Sequence, residues 1–150
     1  MTPEPSRRLA SAARLLWRAQ GLGVTAAAAI AALVGSSQAR SAVWLLLPVV
    51  VAIVAIGVVP ELRWARWRYE VRDEEIDLRH GTVRITRTLV PMLRVQHVDT
   101  TQGPLDQALG LATVVVHTAA GTTTIPALDE GHAARLRDRI AALARTADEL

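Results

Sequence analysis

The sequence predicts an α+β membrane protein, in which a two-helix transmembrane hairpin precedes an antiparallel β domain with a C-terminal helix. Apolar residues form 51% of the chain and are concentrated before Pro60. Beyond Pro60 they follow a period of two through several short segments, as half-buried strands do, and the last segment returns to a helical period. The 150 residues therefore divide into one membrane element, residues 1–60, and one small domain, residues 61–150.

The second apolar segment is the stronger of two predicted membrane spans. Residues 42–59 carry no charge, and at about 1.5 Å per residue they nearly cross a hydrocarbon core of roughly 30 Å. The first apolar stretch, residues 21–34, is too short alone and spans only as a helix over about residues 16–36, with Arg18 directed toward the headgroups. Neither span contains an acidic residue, so nothing indicates an ion pathway.

A cleaved signal peptide is the alternative interpretation of the first segment. A basic stretch precedes it, and small residues follow it at positions 36–42. The second apolar segment begins only a few residues later, so cleavage would leave a chain that starts at a transmembrane helix. We therefore expect an uncleaved hairpin.

The distribution of arginine predicts that both termini are cytoplasmic. Four arginines precede the first apolar stretch, residues 21–34, and four closely follow the second span, whereas the connecting loop, residues 35–41, contains only Arg40. Basic residues beside membrane spans stay on the cytoplasmic side. Trp17, Trp64 and Trp67 flank the spans, where an interfacial aromatic belt is expected. We therefore expect a multi-pass protein of the cell membrane.

Alternating apolar and polar residues, together with a β-branched run at residues 113–118, predict six strands after the hairpin. The predicted ranges are residues 66–72, 76–79, 82–88, 94–101, 113–118 and 122–125. In the third strand, Val83 and Ile85 are expected on one face. Glycine and proline mark the connections, as at Gly81, Gly103-Pro104 and Gly121.

An amphipathic helix is predicted to close the chain. Asp129 is placed to cap its N-terminus, and Glu130 suits the positive end of the helix dipole. The apolar face consists of Ala133, Leu136, Ile140, Leu143 and Ala147. This face has to be buried, and the open face or mouth of the sheet is the expected partner.

Four short segments of the β domain carry a resemblance to a known family. They are PMLRVQHV at residues 91–98, QGPL at 102–105, LGLATV at 109–114 and HTA at 117–119. Their order and spacing behind a membrane hairpin resemble the bacterial PH domain family, in particular its YdbS-like membrane proteins. The resemblance, over residues 68–126, implies two curved antiparallel sheets in a partly open barrel capped by the C-terminal helix. It implies no assigned biochemical activity.

The residues offer no recognisable catalytic or metal site. The histidines, at positions 80, 97, 117 and 132, lack spacings such as HxxxH or HxH, and the chain has no cysteine. Asp99 and Asp106 are too isolated to form an acid–base pair, and no GxSxG, P-loop or GxGxxG motif is present. We therefore expect no enzyme activity, no metal and no cofactor. A net charge of only +3 also predicts no nucleic-acid partner.

These observations favour a membrane-anchored interaction or scaffold module that assembles with other membrane proteins at the cytoplasmic face. The resemblance implies a partner that carries PH-like domains, and a homo-oligomer is the other option. The alternative function is a lipid-headgroup or envelope-stress sensor, in which Arg84, Arg87 and Arg94 contact anionic lipid. The acidic run at residues 73–75 disfavours an inositol phosphate site, because eukaryotic PH domains carry basic residues around the first strand–strand loop.

Overall fold

Two long helices begin the computed structural model, which describes residues 4–39 and 42–148. The first, α1, covers Ala13–Ala39. The second runs continuously through a 3-10 turn (Ala42–Leu45), α2 (Leu46–Ala52), a π-helical turn (Ile53–Val58) and α3 (Val59–Arg66). Ala13–Ser36 and Leu46–Arg66 are long and apolar enough to cross a bilayer.

Both helices extend beyond the predicted bounds. The first continues through part of the predicted loop to Ala39, and Arg40 and Ser41 lie outside the described residues. The second continues past Val59 and ends at Arg66. Its last part, α3, has Glu61 in its first turn and Arg63 and Arg66 in its last turn, an arrangement that the helix dipole favours. The π-helical turn directly precedes α3, whose second residue is Pro60, and the proline ring does not fit against a regular α-helical turn.

The β domain consists of two antiparallel three-stranded sheets, each with its strands in sequence order. The first sheet contains β1 (Arg68–Val71), β2 (Glu75–His80) and β3 (Thr86–Pro91). The second sheet contains β4 (Val95–Thr101), β5 (Leu111–Thr118) and β6 (Gly121–Asp129). The 3-10 turn Met92–Arg94 joins the sheets, α4 (Pro104–Leu109) joins β4 to β5, and α5 (Glu130–Asp148) closes the chain. Within the described residues the sheets do not close into a barrel.

The third strand begins later than predicted. The β2–β3 register places Ile76 opposite Val90 and His80 opposite Thr86, so residues 81–85 form the connection rather than the first half of a strand. Val83 is consequently 95% exposed, not half-buried on a sheet face. The predicted start was wrong because alternation alone does not fix register, and Val90 is the residue that fills the core.

The predicted apolar face of the closing helix is confirmed. Leu136 and Ile140 are 5% and 0% exposed, and α5 packs against the second sheet and the 3-10 turn that precedes it. The chain enters α5 at Glu130, immediately after β6 ends at Asp129. The helix thus covers the second sheet and contributes Ala133, Leu136 and Ile140 to the core.

The segment before α1 also belongs to this core. Arg7 and Tyr69 exchange backbone hydrogen bonds of 3.2 and 3.0 Å, which form an antiparallel bridge on the outer edge of β1. Leu9, Leu16 and Trp17 are buried with residues of both sheets. The division at residue 60 therefore stays a prediction, since residues on both sides of it share one core.

Candidate functional site

The helices meet the β domain at a junction rich in arginine and tryptophan. Glu61 of α3 accepts hydrogen bonds from Arg18 at 2.8 Å and from Arg14 at 3.4 Å, both on α1. Arg63 lies 4.4 Å from the centre of the Trp17 ring, within cation–π range. These contacts join the two helices where their apolar segments end.

The tryptophans predicted as an interfacial belt have two different environments. Trp64 Nε1 donates to the carbonyl oxygens of Leu9 at 3.3 Å and Ala10 at 3.2 Å, so this ring also holds the N-terminal segment. Trp67 is buried in the β domain, where it stacks on His80 with ring centres 5.3 Å apart. Trp67 is thus part of the domain core.

The turn between β2 and β3, residues 81–85, lies beside the end of the second helix; we call it the β2–β3 tip. Arg66 Nη1 donates to the carbonyl oxygen of Thr82. Gly81 has φ +136°, and a Cβ there would lie 1.9 Å from the carbonyl oxygen of Arg84, so only glycine fits this turn. Two apolar side chains, Val83 and Ile85, are exposed on either side of Arg84. The tip therefore offers apolar surface and a positive charge next to the base of the membrane hairpin.

The three arginines predicted to contact lipid do not lie in one cluster. Arg84 is exposed on the β2–β3 tip and Arg94 is exposed just beyond the opposite end of β3. The six residues of β3, at about 3.3 Å each, place roughly 20 Å between them. Arg87 lies on β3 between the two, and its guanidinium is paired within the protein.

Arg87 neutralises a buried carboxylate. Asp77 is completely buried, and Arg87 donates to both of its oxygens, from Nε at 3.0 Å and from Nη2 at 2.6 Å. Arg72 Nη2 lies 3.6 Å from the same carboxylate. The hydrogen bond to Asp77 raises the pKa of Arg87. Because a buried carboxylate needs such partners, Arg87 has a structural role in the first sheet.

The opposite end of the first sheet carries a second exposed apolar region. Leu93, in the turn after β3, is 71% exposed. It borders a groove of about 650 Å³ whose other apolar walls are Pro91, Leu143 and Ala147 and whose rim includes the acidic residues 73–75. We call this the distal groove, because the β2–β3 tip lies at the other end of the strands.

Three side chains on the exposed face of the second sheet form a candidate metal site that the sequence analysis missed. His97 and Asp99 lie on β4, and His117 is the cross-strand partner of His97 on β5. Asp99 Oδ2 lies 3.6 Å from His97 Nε2 and 3.3 Å from His117 Nε2. Ligands around tetrahedral zinc are about 3.4 Å apart when the bonds are about 2.0–2.1 Å. The donor set therefore suits a divalent ion such as zinc.

The ring geometry of this cluster is less suited to metal. The His97 and His117 rings are stacked, with centres 4.1 Å and planes 11° apart, so one ion cannot lie in both ring planes unless a ring turns. The sequence signal is the His-x-Asp spacing on one strand face. The approach of His117 depends on the β4–β5 register, which the sequence does not reveal.

The remaining candidate residues have structural contacts. His132 Nε2 lies 2.7 Å from the Tyr69 hydroxyl. Burial lowers the pKa of His132, as do Arg7 and Arg135, while burial raises the pKa of Tyr69. Asp106 accepts a hydrogen bond from the Gly103 N–H at 2.9 Å and so caps the start of α4.

Comparison with known proteins agrees with this architecture. A family model described as bacterial PH domain matches residues 19–144. The transmembrane protein YdbS of Bacillus subtilis (strain 168) is 50% identical over 113 residues, which are 75% of this chain and 69% of that protein. No solved structure matches the chain. With two apolar helices ahead of two antiparallel sheets and a C-terminal helix, the chain belongs to the bacterial PH domain family as one of its transmembrane members.

Proposed function

We propose that this protein is a non-enzymatic interaction module, which holds a PH-like domain at the cytoplasmic face of the membrane and assembles there with another membrane protein. The observation that carries the proposal is the group of exposed apolar side chains at the distal end of β3 and in the distal groove, on a domain that the hairpin keeps at the bilayer. Leu93 is the most exposed member of this group, and Leu89 of β3 is also exposed.

The outer edge of β3 supports strand-mediated contact. Among the described residues β3 pairs with β2 alone, so its other edge leaves backbone N–H and C=O groups unpaired. Proteins usually protect such edges, because an unpaired edge binds another strand. Here the edge carries Leu89, and an added strand would gain both backbone hydrogen bonds and apolar contact.

The distal groove indicates the chemistry of the partner. Its apolar walls fit an inserted apolar side chain, and Asp73, Glu74 and Glu75 on its rim favour basic residues beside that side chain. We propose a membrane protein with PH-like domains as the partner. If the captured partner is instead a second copy of this chain, a homo-oligomer replaces this proposed partner.

A cytoplasmic position for both termini completes the proposal. The Arg7–Tyr69 bridge holds the N-terminal segment against the β domain, so the two lie at the same end of the helices, as a hairpin requires. The arginine distribution favours a cytoplasmic position for this end. A reporter active only in the cytoplasm should work when fused after the C-terminus and fail when inserted at residue 38. The reverse pattern would overturn the orientation.

The assembly is tested by photo-cross-linking in the native membrane. A photo-reactive residue in place of Leu93 should capture a membrane protein with PH-like domains, identified by mass spectrometry, and one in place of Thr122, exposed on β6, should not. Leu93→Glu should abolish co-purification of that partner, whereas Leu105→Glu, on the exposed side of α4, should preserve it. Equal capture from positions 93 and 122 would refute the proposed surface.

Lipid sensing by Arg84, Arg87 and Arg94 is the second candidate, and the position of Arg84 favours it. Arg84 lies beside the end of the second helix, where anionic headgroups are within reach. Arg87 would have to exchange its bond to Asp77 for lipid. If the three act together, Arg94→Gln should reduce retention of anionic phospholipid by the purified protein as much as Arg84→Gln. An effect of Arg84→Gln alone would exclude a three-arginine site.

A further inference from the structure

We propose that the β2–β3 tip inserts into the interface of the bilayer that the helices span, with Val83 and Ile85 at the boundary of headgroups and acyl chains and Arg84 at the phosphates. This contact would be a third membrane attachment in addition to the two helices, and it would set the orientation of the β domain. It does not depend on the protein partner proposed above.

The strand register brings the tip to the membrane end of the domain. β1 begins at Arg68, directly after the helix ends at Arg66, and Arg68 pairs with Arg79 of β2. Because β1 and β2 are antiparallel, residues beyond His80 extend past the start of β1, back toward the helix. Arg66 bonds the backbone of Thr82 there. Ile85 lines one hollow with Ala65 and Arg66.

The depth of the helix end agrees with insertion at the interface. The apolar part of the second helix ends at Val59, and the residues from there to Arg66 rise about 10 Å at about 1.5 Å each. The headgroup layer adds roughly 5–7 Å on each side of the hydrocarbon core. Arg66 of an upright helix therefore lies about 3–5 Å beyond the headgroup layer, and tilt of the helix shortens this distance. The tip points back from Arg66 toward the bilayer, so the proposed insertion requires it to bridge only this short distance.

The composition and shape of the tip fit this environment. Val83 is the most exposed large hydrophobic side chain among the described residues. The left-handed conformation of Gly81 holds the turn in one shape, so Val83 and Ile85 stay outside the core. Arg84 between them provides a guanidinium for phosphate, and its aliphatic stem can lie along apolar surface. An apolar pair around one cation is suited to the interface rather than to the bilayer centre.

The absence of cysteine allows a direct measurement of depth. Val83→Cys is labelled with an environment-sensitive fluorophore, and the full chain is reconstituted in phosphatidylcholine–phosphatidylglycerol vesicles that contain lipids spin-labelled near the headgroup. Glu74→Cys, exposed at the distal end of the first sheet, is the matched control. We expect a blue-shifted, strongly quenched probe at position 83 and a weakly quenched probe at position 74.

Two outcomes would overturn the insertion. Equal quenching at positions 83 and 74 would place the tip in water, and a blue shift without lipid quenching would mean that protein covers it. Arg84→Gln tests the role of the charge: quenching of the probe at position 83 should fall in anionic vesicles and change little in pure phosphatidylcholine. Val83 makes no core contact, so an unchanged melting temperature of Val83→Cys would show that the label reports the native fold.

Discussion

The hairpin and the β domain have apolar side chains of the same kinds, but the hairpin exposes them and the β domain buries them. Leu22 and Val50 in the hairpin are 60% and 57% exposed, whereas Leu78 and Ile140 in the β domain are 1% and 0% exposed. Exposed leucine and valine over two whole helices would be a large unfavourable surface in water. In lipid they are solvated, so the hairpin needs close packing only where its helices touch. The comparison shows that one chain follows two sets of packing rules.

Ile140→Ala should have the largest effect, because it removes a side chain from the water-excluded core of the β domain. A loss of about 2–5 kcal/mol in unfolding free energy is expected from the lost burial and the cavity left behind. Denaturant unfolding of the purified protein measures it. Ala142→Ser, on the exposed face of the same helix, is the control and should be nearly neutral. An unchanged midpoint for Ile140→Ala would mean that α5 does not complete the core.

Gly21→Leu tests the packing rule of the hairpin. A Cβ at Gly21 would lie 2.5 Å from the carbonyl oxygen of Ala55 on the facing helix, so a larger side chain has to push the helices apart. Overpacking of this kind costs about 1–3 kcal/mol. Gly23→Leu is the matched control, because a Cβ at Gly23 meets nothing within 4 Å. Thermal stability in detergent should fall for the first variant only; equal losses would mean that the helices do not touch at Gly21.

Asp77→Asn tests the ion pair between Asp77 and Arg87, which neutralises a buried charge in the β domain. The variant removes the carboxylate that Arg87 holds with two hydrogen bonds, so the first sheet should be less stable, though by less than in Ile140→Ala. Thermal unfolding should show a smaller decrease in melting temperature for Asp77→Asn than for Ile140→Ala. Arg94→Gln removes an exposed arginine at the end of the same sheet and serves as the control. A destabilisation by Arg94→Gln as large as that by Asp77→Asn would argue against a special role for the pair.

The smallest expected effect concerns His132 and pH. Burial lowers its pKa below the ordinary value of 6.5, so the unfolded chain binds a proton more readily than the folded one. The resulting stability is fully present above about pH 6.5 and is lost as the pH falls from there toward the lower folded pKa. Between about pH 7.5 and pH 5.5, melting temperature should therefore fall less in His132→Gln than in the unchanged protein. Parallel profiles would show that His132 does not contribute.

The local pattern determined most of the architecture. Apolar segments predicted the two helices, alternation and one β-branched run predicted six strands, and the spacing of Leu136 and Ile140 predicted the buried face of α5. Such features depend on neighbours in sequence and on the period of a helix or strand. The predicted start of the third strand failed because alternation continued into residues 82–85, where the chain turns.

The sequence by itself determined which segments meet lipid and which meet water, because transfer from water depends on composition over a whole segment. Only the tertiary structure decided where individual side chains meet. It placed the segment around Leu9 in the core and paired Arg87 with Asp77. It also separated Arg84 from Arg94 and brought His117 beside Asp99. Each of these results depends on strand register or on contact between distant parts of the chain. A one-residue change of register reverses the face of every side chain in a strand, and no local pattern encodes that choice reliably.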